Sequence, residues 1–281
     1  MNPIVKWVGG KRQLLQDIKL YIPYDFDTYY EPFFGGGAVF FEFLPEKAKI
    51  NDLNSELINV YKQVKNHQRE LIRLLEMHKQ NHCKDYYYDI RNLDRNVEKY
   101  SKMSDVEKAA RFIYLNKTCF NGLYRVNSKG QFNAPMGTYS NPNICDKQLI
   151  IEMSRYLKSH KVIMKNMDFE KFLKTTKHGD FVYLDPPYAP LSQTANFTSY
   201  NKDGFSVDEQ IRLKKVCDQL HQKGVKFLLS NSDTPFINEL YKKYKIVKVQ
   251  AKRNINSKGN SRGKISEVLV MNYEDVISND N

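Results

Sequence analysis

The stretch that decides the fold is Thr28-Tyr-Tyr-Glu-Pro-Phe-Phe-Gly-Gly-Gly37, where a short run of strand-favouring residues ends in three glycines. An apolar, helix-compatible stretch follows it. Strand, glycine turn and helix in this order are typical of the first βα unit of a ligand-binding α/β sheet, because glycine lets the backbone turn sharply and approach a ligand closely. The alternative is an ordinary turn.

Strand and helix patterns also alternate in much of the rest of the chain. Helical patterns cover 54–67, 168–173 and 206–222, and the last begins with Ser206 as a cap and Glu209 three residues later. Alternation of strand and helix predicts a doubly wound α/β sheet. Runs rich in β-branched and aromatic residues predict strands at 28–31, 48–50, 161–164, 181–184, 225–229, 245–249 and 268–272.

The stretch from residue 56 to residue 160 does not show this alternation, because it has helical patterns, a polar Gly/Asn-rich loop and hardly any strand pattern. We interpret it as a helical insertion. The predicted division is therefore an α/β domain formed by 1–55 and 161–281, interrupted by an inserted domain at 56–160.

The charge balance points to a polyanionic partner. Lys and Arg number 44 against 32 Asp and Glu, which gives a formal net charge of +12. No apolar run approaches the roughly 20 residues of a membrane span, so we expect a soluble protein. The N-terminus has no signal-peptide core, which makes the cytoplasm the expected compartment. An anionic membrane surface is a distant alternative, because the basic residues lie in polar loops and not on an amphipathic helix.

Two basic stretches lack acidic residues altogether. Residues 108–145 combine cations such as Arg111 and Arg125 with aromatic residues such as Phe120 and Phe132, a composition typical of nucleic-acid surfaces. Residues 252–264 hold five cations between two predicted strands, and their functional interpretation is phosphate contact. For both stretches the alternative is a solvated basic surface. The predicted phosphate contacts of the second stretch are Lys252, Arg253, Arg262 and Lys264.

Asn51-Asp52 ends the second predicted strand, about 20 residues after the glycine turn. A carboxylate at this place commonly accepts hydrogen bonds from the two hydroxyls of a ribose. Asp52 could instead cap the helix that begins near Asn54.

Asp185-Pro-Pro-Tyr188 ends the apolar strand at 181–184 and is the sharpest motif of the chain. Two prolines at the end of a strand fix a rigid turn, since proline cannot donate to the ladder. A carboxylate, fixed carbonyls and an aromatic face within four residues suit a planar exocyclic amine, whose two N–H groups find two acceptors while its ring stacks on Tyr188. The alternative is a turn without chemistry.

The cysteines and histidines show no metal-ligand spacing, and no metal is predicted. None of the four cysteines follows a proline, so the Pro-Cys nucleophile of cytosine-C5 methylating enzymes is absent.

Seven motifs in order resemble the Dam-type adenine-N6 DNA methyltransferases of group alpha, over nearly the whole chain. Besides the glycine turn, Asn51-Asp-Leu-Asn54 and Asp185-Pro-Pro-Tyr188, they are Lys6-Trp-Val-Gly-Gly-Lys11, Phe120-Asn-Gly-Leu-Tyr-Arg125, Asn196-Phe-Thr-Ser-Tyr200 and Ser230-Asn-Ser-Asp233. The resemblance implies a Rossmann-like S-adenosyl-L-methionine domain with a helical target-recognition insertion, and methylation of adenine N6 in double-stranded DNA within a GATC-type site.

The resemblance also implies roles for individual residues. The expected catalytic residues are Asp185, Pro186, Pro187 and Tyr188. The expected cofactor-binding residues are Trp7, Lys11, Phe34, Gly35, Gly37, Asp52, Asp168 and Asp185, with Asp52 on the ribose and Asp168 near the cofactor adenine. The expected DNA-contacting residues are Phe120, which would enter the base stack, with Asn121, Leu123, Arg125, Pro135 and Tyr139.

Two other functions fit part of the pattern. An RNA methyltransferase acting on guanine N2 also uses an Asp-Pro-Pro-aromatic turn, although such enzymes generally lack a long helical insertion. A sequence-specific DNA-binding protein without catalysis would need neither the turn nor the glycines. We expect a monomer, and the sequence leaves open whether a restriction endonuclease acting on the same site accompanies it.

Overall fold

The computed structural model describes residues 1–188, 205–252 and 264–274. All seven predicted strands are present there, most of them within two residues of the predicted limits. Their bounds are β1 Tyr29–Glu31, β2 Lys47–Asn51, β3 Lys161–Lys165, β4 Phe181–Leu184, β5 Lys226–Ser232, β6 Lys245–Lys252 and β7 Lys264–Met271.

Helices connect the strands. Asn54 caps the third of them by accepting from the Leu57 N–H, and Ser206 caps the tenth as predicted, by accepting from the Glu209 N–H. The α-helices of the described residues are α1 Leu15–Tyr21, α2 Ala38–Phe43, α3 Ser55–Asn66, α4 Gln68–Gln80, α5 Lys84–Asn92, α6 Val97–Lys102, α7 Asp105–Thr118, α8 Lys147–Ser159, α9 Phe169–Leu173, α10 Val207–Gln222 and α11 Pro235–Leu240.

The strands form a seven-stranded sheet in the order β3-β2-β1-β4-β5-β7-β6. Strand β1 pairs in parallel with β2 and β4, and β4 pairs in parallel with β5. Strand β7 lies between β5 and β6 and is antiparallel to both. The order reverses direction at β1 and β4, and open α/β sheets bind ligands at the carboxyl ends of the strands beside such a reversal. The predicted Rossmann-like α/β class is confirmed.

The chain folds into two compact units. The first comprises residues 1–10, 35–46 and 52–166, and the second comprises 11–34, 47–51 and 167–281. In the first unit α7 packs against α3, α4 and α5, and most of its side chains are buried. In the second, α9, α10 and α11 cover an apolar core on β1, β4, β5 and β7. These units do not coincide with the predicted domains; the division into a catalytic domain and a 56–160 insertion concerns function and stays a prediction.

No helix in the described parts of the chain combines the length and apolar character needed to cross a membrane.

Candidate active site

Asp185, directly after β4, is held by a buried ion pair in the second unit. Its Oδ1 lies 2.8 Å from the Lys11 Nζ, and the Lys11 side chain is 6% exposed against 20% for Asp185. The Ser230 hydroxyl on β5 donates to the same oxygen over 3.3 Å. Burial raises the pKa of Asp185, and the Lys11 ammonium and the Ser230 hydroxyl offset part of that rise. The result is a fixed carboxylate with a raised proton affinity.

The Tyr188 ring is fixed at both its face and its hydroxyl. The Lys11 Nζ lies 4.4 Å from the ring centroid, which is a cation–π contact. The hydroxyl lies 2.8 Å from the Ser230 Oγ and donates to the Glu267 carboxylate on β7. Lys11 therefore holds the carboxylate and the aromatic ring of the motif together.

The two prolines of the turn present their carbonyls differently. The Gln210 amide of α10 donates to the Pro187 carbonyl over 3.0 Å, which anchors the turn. Among the described residues, none donates to the Pro186 carbonyl, so this oxygen keeps its lone pairs for another donor. The turn thus offers two acceptors, on Asp185 and Pro186, beside an aromatic face.

The first unit brings Trp7, Gly35 and Asp52 together. Gly35 has φ +50° and lies so close to the Trp7 ring that a Cβ there would be 2.7 Å from the Trp7 Cδ1, so a side chain is excluded. The Gly35 N–H donates to the Asp52 Oδ2 over 2.8 Å, and the Asn54 N–H donates to its Oδ1. Burial raises the pKa of Asp52, and the hydrogen bonds from these N–H groups offset part of the rise. Gly37, with φ +68°, is the N-cap residue directly before α2.

Asp52 does not cap α3, because Asn54 does. Each oxygen of Asp52 accepts one main-chain N–H and keeps a lone pair for a further donor. This arrangement leaves the predicted interaction with a pair of ribose hydroxyls open.

Two further predicted cofactor residues lie in the second unit. Phe34 is buried, and its N–H donates to the Asn51 carbonyl over 2.9 Å. Asp168 caps α9 and forms an ion pair with Arg212 of α10. Burial opposes ionisation of Asp168, but the Arg212 hydrogen bond and the capped N–H groups outweigh it and lower its pKa. Asp168 is therefore engaged in holding α9 and α10.

The six predicted DNA contacts of the helical region are all exposed, and they lie on two chain segments that hydrogen-bond to each other. The Phe120 N–H donates to the Pro135 carbonyl over 2.8 Å, and the Asn133 N–H donates to the Arg125 carbonyl. Phe120 is 53% exposed, so its ring is accessible to a ligand. The exposed residues are Phe120, Asn121, Leu123, Arg125, Pro135 and Tyr139.

Arg125 is oriented by Asn133. Its Nε donates to the Asn133 Oδ1 over 2.7 Å and its Nη2 donates to the Asn133 carbonyl over 3.0 Å. The guanidinium is thus held in place while its side chain stays exposed.

The acid-free stretch is not one continuous basic surface. Arg111 is 2% exposed and forms an ion pair with Asp94 over 2.7 Å, and Phe132 is also buried. Both were expected on the nucleic-acid surface, and that expectation was wrong because α7 turns Arg111 into the helical core. The exposed loop residues remain the candidates for contact with nucleic acid.

Sequence reasoning missed Asn116, which lies buried on α7. Its Oδ1 accepts from the Lys6 N–H over 2.8 Å, and its amide donates to the carbonyls of Lys6 and Gly122. One side chain thereby ties the segment carrying Trp7 to the loop carrying the exposed contacts. A single Asn on a helix gives no sequence signal of this role.

Part of the predicted phosphate-binding stretch lies outside the described residues, namely Arg253 and Arg262, as does the motif at 196–200. Lys252 and Lys264 end β6 and begin β7, where their backbones pair with each other.

Comparison with known proteins gives consistent results. The family described as D12 class N6 adenine-specific DNA methyltransferase matches residues 7–255. A type II methyltransferase of Lactococcus lactis subsp. cremoris is 51% identical over 273 residues, which cover 97% of this chain and 96% of the relative. A type II methyltransferase of Methanocaldococcus jannaschii is 43% identical, with coverages of 97% and 99%. A DNA adenine methylase of Escherichia coli is 33% identical, with coverages of 98% and 96%.

Proposed function

This chain belongs to the D12 class N6 adenine-specific DNA methyltransferases, and we propose that it methylates adenine within GATC, with S-adenosyl-L-methionine as the methyl donor and Asp185–Tyr188 as the catalytic turn. The observation that carries the proposal is the Lys11–Asp185–Tyr188 arrangement at the end of β4. The GATC site rests on the family resemblance and on the DNA adenine methylase relatives.

The residues of the first unit fit the methyl donor. The side-chain-free Gly35 beside Trp7 permits close approach of a ligand to the backbone, and Asp52 has lone pairs left for two hydroxyls. When bound, S-adenosyl-L-methionine supplies a methyl group from its sulfonium. The family resemblance assigns its binding to Trp7, Gly35, Gly37 and Asp52, and likewise to Lys11, Phe34, Asp168 and Asp185.

Adenine N6 is a poor nucleophile, because its lone pair is delocalised into the ring. Asp185 and the Pro186 carbonyl accept its two N–H groups and thereby draw the amine toward a tetrahedral shape, with the lone pair aimed at the methyl carbon. With the methyl donor bound, transfer would form the bond between N6 and the methyl carbon at the expense of the S–C bond, and N6 would then lose one proton. Asp185 already accepts that N–H, and its raised pKa suits it to take the proton.

A base within the duplex cannot reach the turn, so the adenine must be flipped out at a cost of a few kcal/mol, which stacking on Tyr188 partly offsets. Phe120 would fill the gap left in the stack, and its 53% exposure leaves the ring available for that purpose. Arg125, oriented by Asn133, presents its guanidinium to the O6/N7 edge of a guanine. Asn121, Leu123, Pro135 and Tyr139 complete the proposed base-contacting surface of the 56–160 insertion, and Lys252, Arg253, Arg262 and Lys264 are proposed to grip phosphates.

We further propose that the enzyme acts as a monomer in the cytoplasm. Two relatives are named type II methyltransferases, which supports a restriction endonuclease that acts on the same site.

The test is sequence-resolved detection of N6-methyladenine in unmethylated plasmid after incubation with the protein and S-adenosyl-L-methionine. Methylation confined to GATC supports the proposal. Methylation at another site overturns the GATC assignment, and methylation of RNA alone overturns the substrate.

A further inference from the structure

A row of polar groups crosses three strands of the second unit, β4, β5 and β7, beside the proposed catalytic turn. It contains Asp185 after β4, Ser230 on β5 and Glu267 on β7, with the Tyr188 hydroxyl among them. Glu267 pairs in register with Ser232, because β7 runs antiparallel to β5. Neither Ser230 nor Glu267 has a part in the chemistry described so far.

The hydroxyl contacts in this row are coupled. Tyr188 and Ser230 have one hydroxyl hydrogen each, and together they contact two carboxylates. When Tyr188 donates to Glu267, its oxygen is left as an acceptor and the Ser230 hydrogen is available to Asp185. Without Glu267, the Tyr188 hydroxyl would donate to Ser230, or the Tyr188 side chain would leave the site. The Glu267 carboxylate therefore sets the orientation of both hydroxyls.

The surroundings of Glu267 give its carboxylate no other described hydrogen-bond partner. The titratable groups that face it are Lys11, Asp185, Tyr183 and Tyr188, and only Tyr188 donates to it. Burial raises the pKa of Glu267, the Tyr188 hydrogen bond and Lys11 oppose the rise, and Asp185 adds to it. Burying a carboxylate costs free energy unless the carboxylate is hydrogen-bonded. For Glu267, the hydrogen bond from Tyr188 is the one described contact that offsets this cost.

We propose that Glu267 is a positioning residue for methyl transfer, which fixes the Tyr188 ring and, through Ser230, the Asp185 carboxylate in the geometry that the flipped adenine needs. In this role Glu267 acts through the Tyr188 hydroxyl and not by contact with the adenine or the methyl donor. The inference rests on the proposed role of the Asp185–Tyr188 turn and adds to it two residues from distant strands.

The test compares Glu267→Ala, Glu267→Gln, Tyr188→Phe and the double variant Tyr188→Phe/Glu267→Ala. In Glu267→Ala we expect kcat to fall about 100-fold, because small misplacement of a reacting group has effects of that size. Affinities for S-adenosyl-L-methionine and for duplex DNA, measured by calorimetry, stay within about threefold, since the residue touches neither. Glu267→Gln keeps an oxygen that accepts from Tyr188 and retains most of the activity.

The double variant tests whether Glu267 acts through the Tyr188 hydroxyl. If it does, the double variant is no slower than Tyr188→Phe alone, whereas independent roles multiply the two losses. The matched control is Tyr241→Phe, which removes another buried tyrosine hydroxyl of the second unit, one that is not part of the row of Asp185, Ser230, Tyr188 and Glu267; its kcat stays at the wild-type value.

A second readout does not need activity. In protein labelled with ¹³C at the tyrosine Cζ, the Tyr188 resonance is assigned by its loss in Tyr188→Phe, and we expect it to move in Glu267→Ala but not in Tyr241→Phe. A wild-type protein that methylates no adenine would refute the proposed function, and the resonance would still test the contact. An active wild type with an unchanged kcat in Glu267→Ala, multiplied losses in the double variant, or Glu267→Gln as slow as Glu267→Ala would overturn the inference.

Discussion

Replacing Lys11 with methionine should destabilise the protein in a pH-dependent way. Lys11→Met keeps the length and the apolar stem of the side chain but removes the ammonium that lies 2.8 Å from the Asp185 Oδ1. The carboxylate then remains in a place from which most water is excluded, without its cation.

The geometry sets the size of the effect. At 2.8 Å and an effective dielectric constant of about 20, the gross attraction is roughly 6 kcal/mol. The methionine variant avoids the free-energy cost of burying the ammonium. Because the Asp185 side chain is one-fifth exposed, water also screens part of the lost attraction. Breaking a fully buried pair costs 3–5 kcal/mol, and for this pair we expect about 2–3 kcal/mol near pH 8.

The dependence on pH follows from the raised pKa of Asp185. The folded protein binds the Asp185 proton more tightly than the unfolded chain does, so ionisation of the carboxylate lowers the free energy of unfolding. This loss of stability grows as pH rises from the ordinary pKa of an aspartate through its pKa in the folded protein. Without Lys11 the pKa rises further and the loss becomes larger. On acidification Asp185 takes up its proton, and the difference between wild type and Lys11→Met shrinks.

Urea unfolding followed by circular dichroism, from about pH 5 to about pH 8, measures this difference. The control is Lys242→Met, which removes an ion pair with Glu239 whose side chains are both more than 70% exposed, and it should leave stability nearly unchanged at every pH, because water screens such a pair. A loss in Lys11→Met that is the same at every pH would refute the ion-pair argument and leave only lost packing.

Three further outcomes are expected. Asp185→Ala should abolish methyl transfer while DNA affinity, measured by fluorescence anisotropy, stays within a fewfold, because the reacting amine loses its acceptor while the exposed residues proposed to contact DNA are unchanged. Arg125→Ala should lower discrimination at one base pair by about 1–3 kcal/mol, measured as kcat/KM on substituted sites, and a uniform loss on all sequences would make it a phosphate contact. Asn116→Ala leaves the main-chain groups of Lys6 and Gly122 without their partner, so it should lower the free energy of unfolding by about 1–3 kcal/mol, measured in urea.

Local sequence patterns were enough to locate the strands and the Asp185-Pro-Pro-Tyr188 turn. Strand runs are recognisable because buried strands need consecutive apolar, β-favouring residues, and Asp185-Pro-Pro-Tyr188 is rigid by its own covalent chemistry. The exposure of Phe120 and Arg125 also agrees with an interpretation made from composition and resemblance alone. The insertion of β7 between β5 and β6 was not predictable, because strand patterns carry no information about partners.

The sequence by itself determined the strands, the helices and the motifs to which the chemistry is assigned, and the tertiary structure decided which residues hold those motifs in place. Lys11 and Asp185 are 174 residues apart in the chain, and Glu267 lies 79 residues after Tyr188. Burial likewise separated Arg111, paired with Asp94 in the helical core, from the exposed Arg125 of the same basic stretch. Contacts of this kind depend on long-range packing, since neither the charge nor the spacing of a residue tells which distant side chain will exclude water from it.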